Sequence, residues 1–301
     1  MADLVPSGAW DTHIHVFDPD HYPYSTARSY TPGAALLTEY PKQITGCENV
    51  VIVHASVQDP SPVELVSTLT NPEVYGFKSG SLRGLATLDP GGLDDNELES
   101  LHAAGVRGIR LHNMAWGHGQ QSGAEDIMKD IKATSAKTAR LGWAIGIFCP
   151  LTAWAAMTDE LLQLDSRTRL IADHLGSSFP GCETQPEFAS FVSLVRKKRI
   201  HVKISGFERM YHSHPDGMDS LKGIISAIVE AGPDQIIFGS DWPHTGLGVA
   251  RQGKSREQRL SEVEPFRKVP DAEHIRALRA WIPDDDVWHK LFVSNPEQLF
   301  A

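Results

Sequence analysis

Two histidines near the start of the chain, His13 and His15, are spaced like side chains that share one face of a β-strand. They lie in residues 10–17, whose apolar and β-branched side chains predict a buried strand. Two imidazoles that point to one place suit a metal ion, or an anionic substrate if they are protonated. A pair of hydrogen-bonded core histidines would have the same spacing, so the interpretation depends on the rest of the chain.

Other polar side chains recur at the carboxyl ends of the predicted strands. Buried polar groups without partners are costly, so a whole set at matching strand ends indicates a functional site. The set comprises His54 after the second strand, Arg110 and His112 on the fourth, Cys149 on the fifth, Asp173 and His174 on the sixth, Lys203 and Ser205 on the seventh with Arg209 just beyond, and Asp241 with His244 on the eighth.

These residues require a scaffold that brings eight strand ends to one place. Short buried strands alternate with helices along the chain, which predicts an α/β protein with parallel strands and right-handed crossovers. Eight strands close a (β/α)8 TIM barrel, in which active sites lie at the carboxyl ends of the strands. The predicted strands lie within residues 10–17, 49–55, 82–89, 106–112, 143–149, 168–176, 200–206 and 235–244. The predicted helices cover residues 62–69, 93–104, 124–140, 154–164, 186–198, 219–231, 271–281 and 284–291.

The main rival architecture is an open, doubly wound sheet. It lacks support, because no Gly-x-Gly-x-x-Gly follows a predicted strand and no Walker-type lysine loop occurs. No linker or change of composition divides the chain, so we expect residues 1–301 to form a single domain.

Composition limits the class of protein. With 41% hydrophobic and 22% charged residues, the chain is typical of a soluble globular protein. A net charge of −10 without a basic block argues against nucleic acid or an anionic membrane as partner. Three scattered cysteines, no leader-like start and no apolar run of membrane-spanning length favour a cytoplasmic protein. A homo-oligomer is compatible with the sequence, which does not define the oligomeric state.

The segment after the first strand, residues 18–40, is long, polar and rich in tyrosine and proline. A loop of this length in a compact domain is usually functional or disordered, and its position next to His15 favours an active-site loop. Arg28 in this loop is placed to close over the site. Residues 116–119, Trp-Gly-His-Gly, form a second loop that we expect to line the pocket.

The sequences of three strand ends resemble the amidohydrolase superfamily. They are His13-x-His15 on the first strand, Asp173-His174-Leu175-Gly176 on the sixth and Gly239-Ser240-Asp241-Trp242-Pro243-His244 on the eighth. The resemblance is to the amidohydrolase-related branch of TIM-barrel metal-dependent hydrolases, which includes pyrone dicarboxylate lactonases and sugar lactonases. It extends from residue 8 to about residue 300 in strand order. The first and last motifs are fairly specific together and weak apart.

The resemblance implies that the protein hydrolyses a lactone or a related cyclic ester or amide. Asp241 would be the general base that deprotonates a water and later returns the proton to the leaving oxygen. His13, His15 and His174 would either bind a divalent cation together with Asp241 or polarise the carbonyl directly.

The end of the fifth strand bears on the number of metal ions. Superfamily members with two metals carry a bridging lysine or carboxylate on a middle strand, whereas this strand ends Ile147-Phe148-Cys149. A two-metal site is therefore not expected. Three imidazoles and one carboxylate suit a single zinc ion. Because the pyrone lactonases resembled here are metal-independent, one divalent metal, with zinc preferred, and no metal both stay open.

Six residues are candidates to bind the substrate: Arg28, His54, Arg110, His112, Arg209 and His244. Arginine binds carboxylates through paired hydrogen bonds, so this set predicts a small anionic substrate. Arg107 and Arg110 cannot both face inward in a regular strand, and Arg110 shares its face with His112. The resemblance assigns Arg209 to a substrate carboxylate, whereas a salt bridge to a neighbour such as Glu208 is the alternative.

Two other functions stay open. One is the metal-dependent, non-oxidative decarboxylation of an aromatic or muconate-type acid, which relatives with the same barrel and His-x-His motif perform. The other is a binding protein that kept the barrel without activity, although His13, His15, His174 and Asp241 are all present. The motif on the eighth strand favours the hydrolase by resemblance, and the identity of the substrate does not follow from the sequence.

Overall fold

The computed structural model describes residues 4–112 and 123–301, apart from the side chain of Pro90. Its strands are β1 (Trp10–Ile14), β2 (Thr31–Pro32), β3 (Asn49–Val53), β4 (Leu82–Ala86), β5 (Val106–His112), β6 (Ala144–Phe148), β7 (Arg169–Ala172), β8 (His201–Ile204), β9 (Ile236–Phe238) and β10 (Val263–Glu264). All of them except β2 and β10 pair in parallel, in chain order, in one eight-stranded sheet. The predicted (β/α)8 barrel is therefore confirmed.

Helices follow the barrel strands and cover the outside of the sheet. They are α1 (Lys42–Thr45), α2 (Val63–Thr70), α3 (Asp95–Ala103), α4 (Ala124–Thr138), α5 (Leu151–Gln163), α6 (Pro186–Arg196), α7 (Phe207–Tyr211), α8 (Lys222–Ala231), α9 (Arg256–Ser261), α10 (Asp271–Trp281), α11 (Asp285–His289) and α12 (Asn295–Phe300). None of the helices in the described ranges has both the length and the hydropathy needed to cross a bilayer.

Buried side chains on both faces of the strands explain why these runs form a barrel. Four of the five residues of β3 and all five of β1 are buried. One cluster of apolar side chains draws on six barrel strands and includes Leu299 and Phe300 from α12, so it lies inside the barrel. Because the strands are covered on both faces, they contain continuous apolar runs rather than strict alternation.

The barrel closes where β1 meets the chain just after β9. Ile14 and Trp242 form a parallel bridge. The His15 N–H donates to the Trp242 carbonyl oxygen at 2.8 Å, and the Asp241 N–H donates to the His13 carbonyl oxygen at 2.9 Å. We call this contact the closing seam. It places the first and last strand ends side by side.

Asp11 lies at the closing seam and is fully buried. Its Oδ1 accepts hydrogen bonds from the Ser240 N–H at 2.9 Å and from the His13 N–H at 3.2 Å. Its Oδ2 accepts a hydrogen bond from the Tyr40 hydroxyl at 2.9 Å. One carboxylate therefore holds the backbone before Asp241 and the backbone at His13 together. Burial raises the pKa of Asp11 to about 6.

The helix ends follow the residues that the sequence provides. Asp94 caps α3, because its side chain accepts from the Glu97 N–H at 2.9 Å while the Glu97 side chain accepts from the Asp94 N–H at 2.8 Å. Gly105 follows α3 with a φ of +105°, a conformation that favours glycine. The helix therefore has an acidic first turn and a glycine stop, as the helix dipole and the left-handed cap favour.

Residues 251–264 contain more structure than the polar composition predicts. Ser255 and Gln258 form a capping box that starts α9, and the chain then forms β10. β10 pairs in parallel with β2 from the loop after β1. The two pairs of residues are too short for a strand pattern to be visible in the sequence. This small ladder joins the segments that follow the first and last barrel strands.

Candidate active site

A cavity of about 210 Å³ opens at the carboxyl ends of the barrel strands. Its wall combines strand ends, the loop after β1 and the segment after β9. The lining residues are His15, Ser29, Tyr30, Ala55, Ser56, Arg110, His112, Phe148, His174, Arg209, Asp241, Thr245, Gly246 and Arg251. Ser29 and Tyr30 belong to residues 18–40, so the predicted active-site loop does reach the cavity.

Asp241 presents two carboxylate oxygens with different surroundings. Oδ2 accepts a hydrogen bond from Arg209 Nε at 2.6 Å, and Arg267 Nη2 lies 3.5 Å from the same oxygen. Oδ1 is buried and meets no hydrogen-bond donor among the described residues. Burial alone would raise the pKa of Asp241, but Arg209 and other neighbours outweigh it and hold that pKa well below its usual range. Asp241 is therefore a fixed, ionised carboxylate with one open oxygen.

Three imidazoles surround the open oxygen. The distances from Asp241 Oδ1 are 3.7 Å to His174 Nε2, 3.9 Å to His13 Nε2 and 4.0 Å to His15 Nε2. His13 and His174 have ring centroids 4.5 Å apart, and His13 and His15 5.1 Å apart. The predicted convergence of these four side chains is therefore present in the geometry. The gaps leave space for an atom that contacts all of them.

The other ring nitrogens indicate which atom of each histidine carries a proton. His15 Nδ1 lies 2.7 Å from the Val53 carbonyl oxygen, which only accepts, so Nδ1 carries the proton and Nε2 has a free lone pair. His13 Nδ1 lies 3.1 Å from Lys203 Nζ, which only donates when charged, so the His13 proton is assigned to Nε2. His174 Nδ1 lies 3.0 Å from Ser205 Oγ, which can donate or accept.

Burial keeps these histidines neutral near neutral pH. It is the largest cause that lowers the pKa of His15 to about 3 and that of His174 to about 4. Burial, with Lys203 next in size, also lowers the pKa of His13 well below its usual value. Direct stabilisation of an anionic substrate by three imidazolium groups is therefore not supported by the surroundings.

Beneath His13 lies a second buried charged group. Asp173 Oδ1 is 3.0 Å from Lys203 Nζ and 3.6 Å from His13 Nδ1, and Asp173 Oδ2 is 3.6 Å from Arg110 Nε. Asp173 and Lys203 are fully buried, and Arg110 is 5% exposed. Arg110 Nε has no hydrogen-bond acceptor within the described part of the chain. Arg110 thus borders the cavity as a buried cation whose nearest carboxylate, Asp173, lies closer to Lys203.

Arg209 lies in the cavity wall but is bound to the protein. Besides Asp241, its guanidinium donates to Thr245 through Nη2, at 2.9 Å to the carbonyl oxygen and 2.7 Å to Oγ1. The sequence assigned Arg209 to a substrate carboxylate. Its contacts instead make it the group that holds Asp241 Oδ2, so the alternative of a salt bridge to a neighbour fits better. The neighbour is Asp241 rather than Glu208, which pairs with Arg267 at 2.7 Å.

Arg251 also lines the cavity and forms a closed ion pair. Its Nε donates to Glu264 Oε2 at 2.8 Å and its Nη2 donates to Glu264 Oε1 at 2.9 Å. The guanidinium also lies 3.5 Å from the centroid of the Tyr30 ring. Arg251 connects the segment after β9 with the loop after β1 through Tyr30, which precedes β2, while Glu264 belongs to β10.

Three predicted substrate-binding residues do not line this cavity. The Arg28 guanidinium donates to Thr31 Oγ1 and to the carbonyl oxygens of residues 25 and 260, so it fixes the loop rather than closing over the site. His244 Nε2 pairs with Asp271 Oδ2 at 2.9 Å. His54 lines a neighbouring cavity that Arg110 and His112 also border. The predicted pocket loop at residues 116–119 lies outside the described residues.

Two glycines make room for the histidines. A Cβ on Gly239 would lie 2.8 Å from His13 Cβ. A Cβ on Gly206, which has a φ of +63°, would lie 2.6 Å from His174 Nδ1. Such contacts are closer than atoms can pack, so glycine at these strand ends lets the imidazoles approach Asp241.

The donor set fits a divalent cation in part. One ligand atom each from His13, His15 and Asp241 lie within 4.8 Å of one another. Nitrogen and carboxylate ligands suit zinc, and the free lone pair of His15 and the open oxygen of Asp241 are suitable donors. The Lys203 contact opposes ligation by His13 Nε2, because a ligand nitrogen needs its lone pair and the ring proton would have to move to Nδ1.

Sequence reasoning missed Thr245, Arg251 and Arg267 as parts of this site. All three follow β9. A positional signal existed, because every segment that follows a barrel strand lies at the same face as the active site. The argument that assigned residues 18–40 to the site applied equally to the residues after Asp241.

Comparison with known proteins gives both sequence and fold relatives. A family model described as Amidohydrolase matches residues 10–301. A 4-sulfomuconolactone hydrolase of Rhizobium radiobacter is 29% identical over 99% of this chain and 91% of its own length. A 2-pyrone-4,6-dicarboxylate hydrolase of Comamonas testosteroni is 27% identical over 98% of this chain and 91% of its own length. A crystal structure of a probable 2-pyrone-4,6-dicarboxylic acid hydrolase of Acinetobacter baumannii, with citric acid bound, aligns with a TM-score of 0.70 at 21% identity over 97% of this chain and 99% of that one.

Proposed function

Because the chain belongs to the amidohydrolase family, we propose that it hydrolyses a lactone, or a related cyclic ester or amide, that carries an acidic group. The observation that carries the proposal is the carboxylate of Asp241. Arg209 holds Oδ2 at 2.6 Å, whereas Oδ1 faces three histidine Nε2 atoms at 3.7–4.0 Å. Relatives that are named as lactone hydrolases support this choice of bond.

In the first step Asp241 acts as general base. A water in the space between Oδ1 and the imidazoles gives its proton to Oδ1 as its oxygen bonds to the lactone carbonyl carbon. The carbonyl π electrons move to the carbonyl oxygen, which becomes an oxyanion. His15 Nε2, with its free lone pair, can accept the second water hydrogen and orient the nucleophile. The low pKa of Asp241 keeps it ionised, so proton transfer accompanies carbon–oxygen bond formation.

In the second step the tetrahedral intermediate collapses and the ring opens. His13 Nε2–H, which points into the same space, is the donor placed to stabilise the oxyanion. The bond between the carbonyl carbon and the ring oxygen breaks, and Asp241 returns its proton to that oxygen. The products are a hydroxyl and a carboxylic acid on one open chain, the acid releases its proton to solvent and becomes a carboxylate, and Asp241 is ionised again.

A divalent cation, with zinc preferred, is part of the proposal where it fits. His13, His15 and Asp241, whose ligand atoms lie within 4.8 Å of one another, would hold it together with His174, and His13 Nε2 would serve as a ligand once its proton had moved to Nδ1. When bound, such a cation polarises a carbonyl and lowers the pKa of a bound water. The residue roles described above do not depend on it.

The acidic group of the substrate is assigned to Arg110. This arginine lines the cavity, is 5% exposed and has a donor without an acceptor in the described residues. His112 lies on the same strand and lines the same wall. We place the enzyme in the cytoplasm, where the three buried, free cysteines would stay reduced.

Replacement of the proposed base tests the function. Ring opening of a panel of carboxylated lactones releases acid, which a pH-stat follows. Asp241→Asn should lower kcat/KM by at least about a hundredfold, the usual contribution of a general base. Asp159→Asn, an exposed aspartate on α5, is the matched control and should behave as the wild type.

Two further measurements complete the test. Near-normal turnover in Asp241→Asn would contradict the mechanism, and release of CO₂ from aromatic acids without ring opening of any lactone would favour decarboxylation. Metal content of protein purified without added metal, with activity before and after chelation, decides whether a cation takes part. Loss of activity on chelation and its return with zinc would support a cation held by His13, His15, His174 and Asp241.

A further inference from the structure

Four charged side chains line the described part of the cavity: Arg110, Arg209, Asp241 and Arg251. Together with their ionic partners they form three groups. The first contains Asp241 and Arg209, which are in direct contact, and Arg267 and Glu208, which pair at 2.7 Å. Two carboxylates and two guanidinium groups give this group no net charge. Its arginine donors are directed at Asp241, Thr245 and Glu208. Its charges are therefore balanced within the group.

The second group is the pair of Arg251 and Glu264. Two parallel hydrogen bonds join them at 2.8 and 2.9 Å, and the side chains are 5% and 9% exposed. A bidentate arginine–carboxylate pair is the strongest arrangement these groups form. Its net charge is also zero, although Arg251 lines the cavity.

The third group contains Lys203, Asp173 and Arg110, and it has one positive charge in excess. Asp173 lies 3.0 Å from Lys203 Nζ, within hydrogen-bond distance, but 3.6 Å from Arg110 Nε, which is too far for a hydrogen bond. One carboxylate therefore serves two buried cations. A buried cation without a full partner is costly, and an anion that enters the cavity compensates it.

The rest of the cavity adds no further fixed charge. Residues 113–122, which the structure does not describe, contain no lysine, arginine, aspartate or glutamate in the sequence. Burial lowers the pKa of His112 to about 3, so this lining histidine is neutral at neutral pH. The remaining wall offers hydroxyl groups from Ser29, Tyr30, Ser56 and Thr245.

We infer that the site selects a lactone with a single anionic group, which binds Arg110, and with neutral hydroxyl groups on the other side of the ring. This inference rests on the proposed function and narrows its substrate class. A second carboxylate would have to be desolvated against the hydroxyl wall or against Arg251, whose charge Glu264 already compensates. The relatives named for a pyrone dicarboxylate act on a doubly anionic compound. We assign a different charge class to this chain.

The test uses ring compounds that cannot be hydrolysed, so binding is measured without turnover. Calorimetry compares tetrahydrofuran-2-carboxylate, its 2,5-dicarboxylate and the neutral tetrahydrofurfuryl alcohol. The monoanion should bind about tenfold or more tightly than the alcohol, as expected for charged hydrogen bonds, and at least as tightly as the dianion. Tighter binding of the dianion by tenfold, or equal binding of the alcohol, would overturn the inference.

The sample is measured as purified and again after chelator treatment. A bound divalent cation would add two positive charges to the site. The affinities of the monoanion and the dianion are therefore compared in the chelator-treated protein. Failure of every lactone to react would overturn the proposed function alone, because the ether series does not depend on ring opening.

Variants of one strand test the role of Arg110. Arg110→Gln should weaken binding of the monoanion by about tenfold to a hundredfold. Arg110→Lys keeps the positive charge but loses the paired donors of the guanidinium, so it should retain part of the affinity for the monoanion. Arg107→Gln is the matched control, because Arg107 lies on the same strand but donates to the His102 carbonyl oxygen outside the cavity. Unchanged binding in Arg110→Gln would contradict the assignment.

A gain of function provides an independent test. Glu264→Gln removes the negative charge that compensates Arg251 but keeps one oxygen acceptor. The variant therefore has a second cation in the cavity wall, Arg251, without a compensating carboxylate. The dianion should then gain at least about fivefold in affinity relative to the monoanion, a modest fraction of a full charged contact. No change in that ratio would show that the charge count does not control selection.

Discussion

At the scale of single residues, the site depends on the unequal oxygens of Asp241. Arg209 fixes Oδ2 at 2.6 Å, which leaves Oδ1 as the open acceptor in a ring of imidazoles. Fixed orientation matters, because an atom misplaced by an ångström costs much of the rate. Arg209 therefore acts on the reaction through Asp241, as a positioning residue.

Arg209→Gln should move the acid limb of kcat/KM to higher pH. Arg209 is the largest cause that holds the pKa of Asp241 below its usual range, so its removal raises that pKa. Activity requires the ionised carboxylate and is lost as the pH falls through its pKa, so the variant loses activity at a higher pH than the wild type. Turnover measured from pH 4 to 8 provides the test, with the exposed Arg196→Gln as control. An unchanged acid limb would argue against this role.

The histidine tautomers can be measured directly. We expect the neutral ring of His15 to carry its proton on Nδ1 and that of His13 on Nε2, because Val53 offers an acceptor to the first and Lys203 a donor to the second. Nitrogen-15 chemical shifts of the imidazoles report both assignments, with His13→Gln and His15→Gln used to identify the signals. The same tautomer in both residues would contradict the proposed roles of Lys203 and Val53.

At the scale of elements, the site is built across the closing seam. β1 supplies His13 and the chain after β9 supplies Asp241, and the backbone hydrogen bond between them is 2.9 Å long. Asp11 adds a second connection, because its Oδ1 accepts from the N–H groups of His13 and Ser240. The geometry of the reacting groups thus follows from strand pairing and from one buried carboxylate.

Substitution of Asp11 should separate hydrogen bonding from charge. Asp11→Asn keeps an oxygen for the two backbone N–H groups, and Tyr40 can rotate its hydroxyl to accept from the amide. Asp11→Leu leaves both N–H groups unpaired, at a cost of about 1–3 kcal/mol each. The free energy of unfolding, measured with urea, and kcat should therefore both fall in Asp11→Leu and stay near the wild-type values in Asp11→Asn. Equal loss in both variants would show that the charge, and not the connection, is required.

At the scale of the whole molecule, many buried histidines couple stability to pH. Burial lowers the pKa of five of them to about 3 or 4: His15, His54, His112, His174 and His201. An unfolded histidine has a pKa of about 6.5, so below that pH the unfolded chain binds more protons than the folded one. Asp11 has the opposite effect on stability, because between its unfolded pKa and its raised folded pKa of about 6 the folded chain binds the additional proton.

The free energy of unfolding should therefore decrease steeply between pH 6.5 and pH 4.5. Each buried neutral histidine contributes a loss of about 1.4 kcal/mol per pH unit in this range, and the raised pKa of Asp11 offsets about one of them below pH 6. Urea midpoints measured at half-unit pH intervals check the slope. Constant stability down to pH 5 would mean that these histidines are protonated in the folded protein.

Features that can be read within a single short segment of the sequence made the fold and the histidine–aspartate part of the site predictable. Alternating apolar runs and capped helices indicate a barrel, and His13, His15, His174 and Asp241 lie at strand ends that the pattern locates. The partners of the arginines did not follow, because Asp241 lies on a different strand end from Arg209 and Glu264 lies 13 residues beyond Arg251, outside any local repeat. Arg28 and His244 also find partners outside their own segments, which no local spacing indicates.

The closing seam also decides when the protein becomes active during synthesis. A ribosome produces β1 first, yet the segment that pairs with its second edge follows β9, the last strand of the barrel to be made. Until then β1 has one open edge, and unpaired strand edges of nascent chains are prone to aggregate. Contacts of such long sequence separation also form late in folding. Catalytic activity therefore marks a chain that has been made and closed in full, whereas helix content alone would appear earlier.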